Sequence, residues 1–329
     1  GWEKDPKDHP VALEMLRFIG NNSKTGKEIR SFFMKSPYGW SQDAIDTTVF
    51  MLKNTEFIST TETNLNQSRM GSATFKKEVH TITAQEKIKL KKLYLDCNIQ
   101  CKPGEEFVKS NELIAALREL AENASGFAPK PEPFSTGYLK EIENFDGNER
   151  LLNLLQIEEK IREDYFDWSQ KSKMVSEREP DWQKLDRLMK LAPVSSGYDA
   201  LREQYEAMID NRLLLNEPDL VKPLLEKVVD ALKAELNKLK QQYLDAHTAG
   251  RDELKGNEYF QKLSQPERHA IFYRHQLTNP PALEDMTAEK LINELTSTSL
   301  DAWHTKIIAV PQQFASATEE IVKAALPKA

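Results

Sequence analysis

The apolar positions of the first hundred residues change period along the chain. Val11, Leu13, Leu16, Phe18 and Ile19 recur at helical spacing after Pro10 and predict a helix over 9–19, ended by Gly20-Asn21-Asn22. The stretch 25–46 predicts two more helices. Ile29, Phe32 and Phe33 follow Thr25, a candidate N-cap, and Ser36-Pro37-Tyr38-Gly39 then breaks the pattern. Ser41 can cap the next helix, over 41–54, in which Ile45, Val49 and Leu52 form the apolar stripe. Strands over 57–62 and 74–82 flank a polar loop, 63–72, and a helix over 84–98 carries Ile88, Leu90, Leu93 and Leu95. Helix, tight break, helix and a β-rich stretch is the plan of a winged helix, here filling about 8–100 of a first domain, 1–100.

Beyond a turn at Lys102-Pro103-Gly104, Leu113, Ala116, Leu117 and Leu120 share one side of a helix over 107–124. The alternating prolines of 126–133 favour extended polyproline II, so 101–135 reads as a helix plus a stiff surface spacer; an SH3-type ligand is the other use of such a run. From 136 to 329 the pattern is helical throughout. Helices are expected over 138–144, 150–176, 181–191 (a new start permitted by Pro180), 198–214, 254–263, 265–277, 287–295 and 300–325, the last kinked or split by Pro311. The longest, over 219–248, steps by four and three through Leu225, Val229, Leu232, Leu236, Leu239, Tyr243 and Ala246. That is a heptad seam on a rod roughly 45 Å long. Its expected partner is the 150–176 helix, antiparallel, with a dimeric coiled coil as the alternative. The fold class expected is mainly α: an N-terminal winged helix-turn-helix, then an elongated helical domain, 136–329, with a long antiparallel coiled-coil-like helix pair.

Charge narrows where a polyanion could bind. The 329 residues carry a net charge of −7, but residues 1–100 hold 15 Lys and Arg against 12 Asp and Glu, and the remainder 30 against 40. Any phosphate-binding surface is therefore expected in the first part. A mean hydropathy of −0.61 and the lack of a long apolar run predict no membrane span, and a cytoplasmic chain is expected. The chain opens Gly-Trp-Glu-Lys-Asp-Pro without methionine and is read as a fragment of a longer protein. Cys97 and Cys101 lack a second ligand pair, so reduced thiols are expected and no metal.

Catalytic signatures are sparse. Lys24-Thr25-Gly26-Lys27 matches only the tail of a phosphate-binding loop and lacks the upstream glycines; no nucleophile elbow, zinc helix or dinucleotide fingerprint occurs. His269 and His275, the acidic residues and the aromatic residues read as surface or packing groups. In a DNA-reading winged helix, 41–54 would enter the major groove with Gln42, Asp43, Asp46, Thr47 and Lys53 outward, and its two carboxylates would repel phosphates. The better candidates for sequence-independent contact with double-stranded DNA are Arg69, Lys76, Lys77, Lys87, Lys91 and Lys92, with Lys89 beside them. Lys87 and Lys91 are spaced to share a helix face. Pro37-Tyr38-Gly39-Trp40 reads as a turn with Trp40 a hydrophobic staple.

Seven segments carry a family resemblance: GKEIRSFF, SPYGWSQDAID, CKPGEE, APKPEP, GNERLLNLL, EREPDWQKLDRLM and NRLLLNEPDLVKPLL. They resemble the C-terminal region of BrxC, the large P-loop ATPase of bacterial BREX phage-defence systems, and its relative PglY. The resemblance implies that the ATPase core, with its ATP, lies outside this stretch, and that no cofactor or catalytic residue is expected within it. The partners it implies are other BREX proteins, including the methyltransferase, in a system that restricts phage DNA replication. Self-association through the coiled coil is a further expectation. The role expected here is a non-catalytic assembly and interaction module touching DNA backbone; the alternative is a sequence-specific winged-helix regulator.

Overall fold

The computed structural model describes residues 9–326 except 21, 56, 61, 63 and 64. These residues are mainly helical, with one small sheet, and divide into two compact units. The first reaches residue 126 and resumes over 133–173; the second comprises 127–132 and the chain from 174 onward.

The first unit begins α1 (Pro10–Ile19), β1 (Lys24–Thr25), α2 (Gly26–Phe33), α3 (Gln42–Asn54), β2 (Ile58–Thr60), β3 (Thr74–Lys77). The sheet is antiparallel in the order β1-β3-β2, with Lys24 opposite Phe75 and Ser59 opposite Lys76. Strand β1 is two residues long and was not legible as a period. The strands expected over 57–62 and 74–82 shorten to three and four residues. His9 caps α1, its Nδ1 accepting the Val11 amide at 3.3 Å. Thr25 and Glu28 form a capping box: the Glu28 amide donates to Thr25 Oγ1 and the Thr25 amide to Glu28 Oε2. Gly26 is required by close approach, since a Cβ there would overlap the Met70 carbonyl. Met15, Ile19, Ile29, Phe33, Ile45, Val49, Leu52 and Phe75 form the core of this part. Trp40 stacks on Phe33, centroids 4.6 Å apart, which pins the turn into α3.

Next come α4 (Ala84–Asp96), α5 (Glu106–Ala124), α6 (Gly137–Glu143), α7 (Gly147–Gln156) and the start of α8 (Glu158–Leu191). Leu90, Leu93 and Tyr94 pack with Leu113, Leu117, Leu154, Ile161 and Trp168. Arg150 is nine-tenths buried and ties α7 down: it donates to Asn111 Oδ1 (2.6 Å) and to the carbonyls of Phe145 (2.9 Å) and Glu143 (3.0 Å). Two boundaries differ from expectation. The helix expected over 150–176 is divided at Ile157, and α8 runs unbroken through Pro180 instead of restarting at 181. Proline removes one amide donor from the ladder, a local loss offset here by the buried Val175 and Leu185 on either side.

The second unit holds the rest of α8, α9 (Asp199–Asp210), a 3₁₀ turn (Leu213–Leu215), α10 (Val221–Lys255), α11 (Glu258–Lys262), α12 (Gln265–Arg274), α13 (Ala288–Ser297) and α14 (Leu300–Ala325). Leu225, Val228, Leu232, Leu236, Leu239 and Tyr243 line the buried face of α10. The main neighbour of α10 is α14, not the 150–176 segment expected. The apolar face of that segment is already used in the first unit, where Leu151, Leu154, Ile161 and Trp168 are buried. α14 offers Trp303, Val310, Phe314, Ala317 and Ile321 and is not interrupted at Pro311. Gly250 meets the Phe314 ring so closely that a Cβ would overlap it.

Three of the resemblance segments meet in this unit. Arg178 donates to the carbonyls of Leu214 (3.0 Å) and Asn216 (2.7 Å) and to Glu217 (2.6 Å). Arg212, at φ +52°, donates to the Lys130 carbonyl (2.8 Å) and pairs with Glu132 (2.7 Å), while the Leu214 amide donates to the Pro129 carbonyl. The proline segment is thus packed, and Arg178 and Arg212 serve architecture.

Candidate nucleic-acid interface

The six cationic candidates do not form one surface. Lys76 and Lys77 are consecutive on β3, so they point to opposite faces of the strand; Lys77 is exposed and Lys76 half-buried. Arg69 lies in the turn preceding β3 and pairs with Glu62 at 2.8 Å. Lys92 is exposed on α4 and forms no ion pair among the described residues.

Lys87 and Lys91 do share a face of α4, but that face is occupied. Lys91 pairs with Glu106 at 3.3 Å, and Glu106 is buried at the start of α5, where it also accepts the Gly104 amide at 2.8 Å. Lys87 lines a cleft of about 300 Å³ with Lys53, Glu62, Glu78 and Glu106. Glu106 therefore neutralises Lys91, and Lys87 faces a cleft bordered by carboxylates rather than an open cationic surface.

Glu78 ends this cleft against the first turn of α7. Burial raises its carboxyl above the ordinary range, while the amides of Asn148 and His80 and the Ser59 hydroxyl pull in the other direction. Asn148 reinforces the junction by donating its Nδ2 to the His80 carbonyl at 2.9 Å.

The largest departure from expectation is Asp46. It is not an outward residue of α3 but 3 % exposed, and Arg30 of α2 holds it through Nε–Oδ1 (2.8 Å) and Nη2–Oδ2 (2.6 Å). The signal was present in the spacing, because Asp46 lies three residues before Val49 and flanks the buried stripe. Gln42, Asp43, Ala44 and Thr47 remain exposed on α3, and Asp43 accepts from Gln67 at 3.4 Å.

Other groups of potential chemical use are engaged structurally. Cys97 and Cys101 are free thiols, and burial pushes both up to about 11, so neither is a thiolate at neutral pH. His275 meets Glu320 at 2.8 Å beside the Arg274–Glu320 pair, and these bonds hold the Glu320 carboxyl low; His269 is exposed. A cleft of about 580 Å³ in the second unit is bordered by Lys240, Glu294, Trp303 and Lys306. Lys240, which sequence reasoning passed over, is buried, pairs with Glu294 at 3.0 Å and lies 5.7 Å from the Trp303 ring centroid. Among the described residues no three His, Cys, Asp or Glu side chains gather as a metal site, and no helix is long and apolar enough to cross a membrane. Compared with known proteins, the chain matches no family model, no curated protein and no solved structure.

Proposed function

We propose that this chain is a non-catalytic assembly and interaction module of a BREX-type anti-phage ATPase, acting in the cytoplasm, and that its first part is a winged helix that contacts double-stranded DNA. The observation that carries the DNA-contact reading is the order helix, strand, two helices, strand, strand, closed by a sheet in the order β1-β3-β2. In this reading α3 is the helix that enters a groove and the β2–β3 connection serves as the wing. Of the cations on or beside the wing, Arg69 is paired with Glu62 and Lys76 is half-buried on the other face of β3, so in this reading the exposed Lys77 carries the sequence-independent phosphate contact. The assembly role rests on the segment resemblance, which also makes ATP a requirement of the longer protein and the other BREX proteins, including the methyltransferase, its partners.

One observation favours the second reading, in which α3 also reads bases. With Asp46 withdrawn to Arg30, the exposed side of α3 carries Gln42 and Thr47, both able to hydrogen-bond base edges, and one carboxylate rather than two.

Fluorescence anisotropy with duplex DNA at low and near-physiological salt tests both. Backbone contact predicts binding that weakens with salt and with Lys76→Glu/Lys77→Glu. Base reading predicts that Gln42→Ala/Thr47→Ala weakens a selected sequence more than a random one. No binding at low salt removes the DNA role.

A further inference from the structure

In the second unit, α10, α13, α14 and the connection from α12 to α13 border the cleft of about 580 Å³, a volume that suits a small organic molecule. Its apolar lining includes Tyr243, Met286 and Trp303, all three buried. Two cations converge on the indole. Lys240 Nζ lies 5.7 Å from the ring centroid and Lys306 Nζ 4.7 Å, so the two ammonium groups are no farther apart than those distances together. Lys240 is buried and pairs with Glu294 at 3.0 Å. Lys306 has no carboxylate partner among the described residues and reaches the Thr298 hydroxyl at 3.5 Å. Trp303 adds a further donor, because its Nε1 is buried and meets no acceptor among the described residues. A buried donor is costly to leave unmet. Around one indole the cleft thus holds two ammonium groups and an unmet N–H against one carboxylate, an excess of donors that an oxyanion balances.

We propose that this cleft binds a small organic anion, a carboxylate or a phosphate ester with an apolar body. Lys306 and the Lys240–Glu294 pair hold the oxyanion, and Tyr243 and Met286 meet the body. A bare ion would leave the apolar lining unused. Glu284 is the opposing charge of the lining, and it is exposed. Both lysines instead stand at the buried indole, where attraction to an anion is less screened than at an exposed carboxylate. The site uses no residue assigned to DNA contact, and it goes beyond the assembly reading.

The test titrates the whole isotope-labelled chain with naphthyl phosphate, naphthoate, inorganic phosphate and the cation naphthylmethylamine. The readout is the set of indole N–H resonances, with that of Trp303 identified by Trp303→Phe. At least one of the two organic anions should move the Trp303 resonance, and the tighter of the two shows whether the head group is a phosphate or a carboxylate. Lys306→Gln, at an exposed position, should weaken that binding at least about tenfold. Glu284→Gln should leave it as tight or tighter, and Lys323→Gln, on α14 but outside the cleft, should leave it unchanged. Silence of Trp303 with both organic anions, equal binding of inorganic phosphate or of the amine, or indifference to Lys306→Gln overturns the proposal. Duplex DNA should bind Lys306→Gln as well as it binds the wild type, so loss of this site and loss of the DNA role are separable results.

Discussion

Arg30 and Asp46 bind each other through two parallel hydrogen bonds across the α2–α3 contact, 2.8 Å and 2.6 Å long. The Asp46 side chain is 4 % exposed and that of Arg30 19 %. The pair locks the angle between the two helices that flank the Pro37 turn, and it decides which polar groups α3 shows to solvent. The two partners are not equivalent. Arg30→Ala leaves a buried carboxylate uncompensated and should cost about 3–5 kcal/mol. Asp46→Ala leaves a guanidinium that can reach water and should cost distinctly less. Denaturant titration of both single variants and the double variant checks this, with the double expected to fall well short of the sum.

A Cβ at position 147 would strike the Glu78 carboxylate, and Gly147 sits at φ +54°. Gly147→Ala should therefore destabilise by roughly 1–2 kcal/mol from the backbone alone, with the clash added. Glu78→Ala combined with Gly147→Ala should recover the clash but not the backbone strain. Unfolding midpoints of the two variants separate these contributions.

Stability should respond to pH in two directions. Burial raises the folded Glu78 above its ordinary value of 4.5. Between that value and the folded one, the native state holds a proton that the unfolded chain has released, so stability falls as pH rises through this window. Glu78→Gln should remove that fall. Glu28 and Glu86 are held below 4.5, chiefly by the amides of Thr25 and Thr83. Their contribution is present above 4.5 and is lost as pH drops through their folded values, so Glu28→Gln/Glu86→Gln should flatten the acid side. Thermal melts across the acidic range distinguish the two slopes.

Truncation along α10 and α14 should report which face is buried. Leu236 is fully buried, and Leu236→Ala should cost about 2–5 kcal/mol. Ile308 of α14 is 79 % exposed, and Ile308→Ala should leave the unfolding midpoint nearly unchanged. Equal losses at the two positions would mean that the exposed face of α14 is covered in solution.

The position and type of most helices were legible in the sequence because the signals were local. Thr25 and Ser41 were each in place to cap the helix that follows, and α14 spans the residues that its period predicts. Of the apolar positions read along α10, Leu225, Leu232, Leu236, Leu239 and Tyr243 are buried, while Val229 and Ala246 are only partly so and Val228 and His247 are buried instead. Strand β1 was missed because two residues carry no period, and α8 was divided at Pro180 because proline's local penalty is visible while the packing that offsets it is not.

The candidate site was legible only as a composition. Sequence determined that the first hundred residues hold the cationic excess and that Lys87, Lys91 and Lys92 belong to one helix. Only the tertiary structure decided that Glu106 claims Lys91, that Arg30 withdraws Asp46 from the surface, and that α14 rather than 150–176 covers the seam of α10. The physical reason is common to all three. Helical period and capping depend on neighbours within a few residues, whereas an ion pair or a helix partner is chosen among all groups that folding brings within a few ångströms. Arg30 and Asp46 are separated by sixteen residues, and α10 and α14 by forty-five, and no local pattern encodes either meeting.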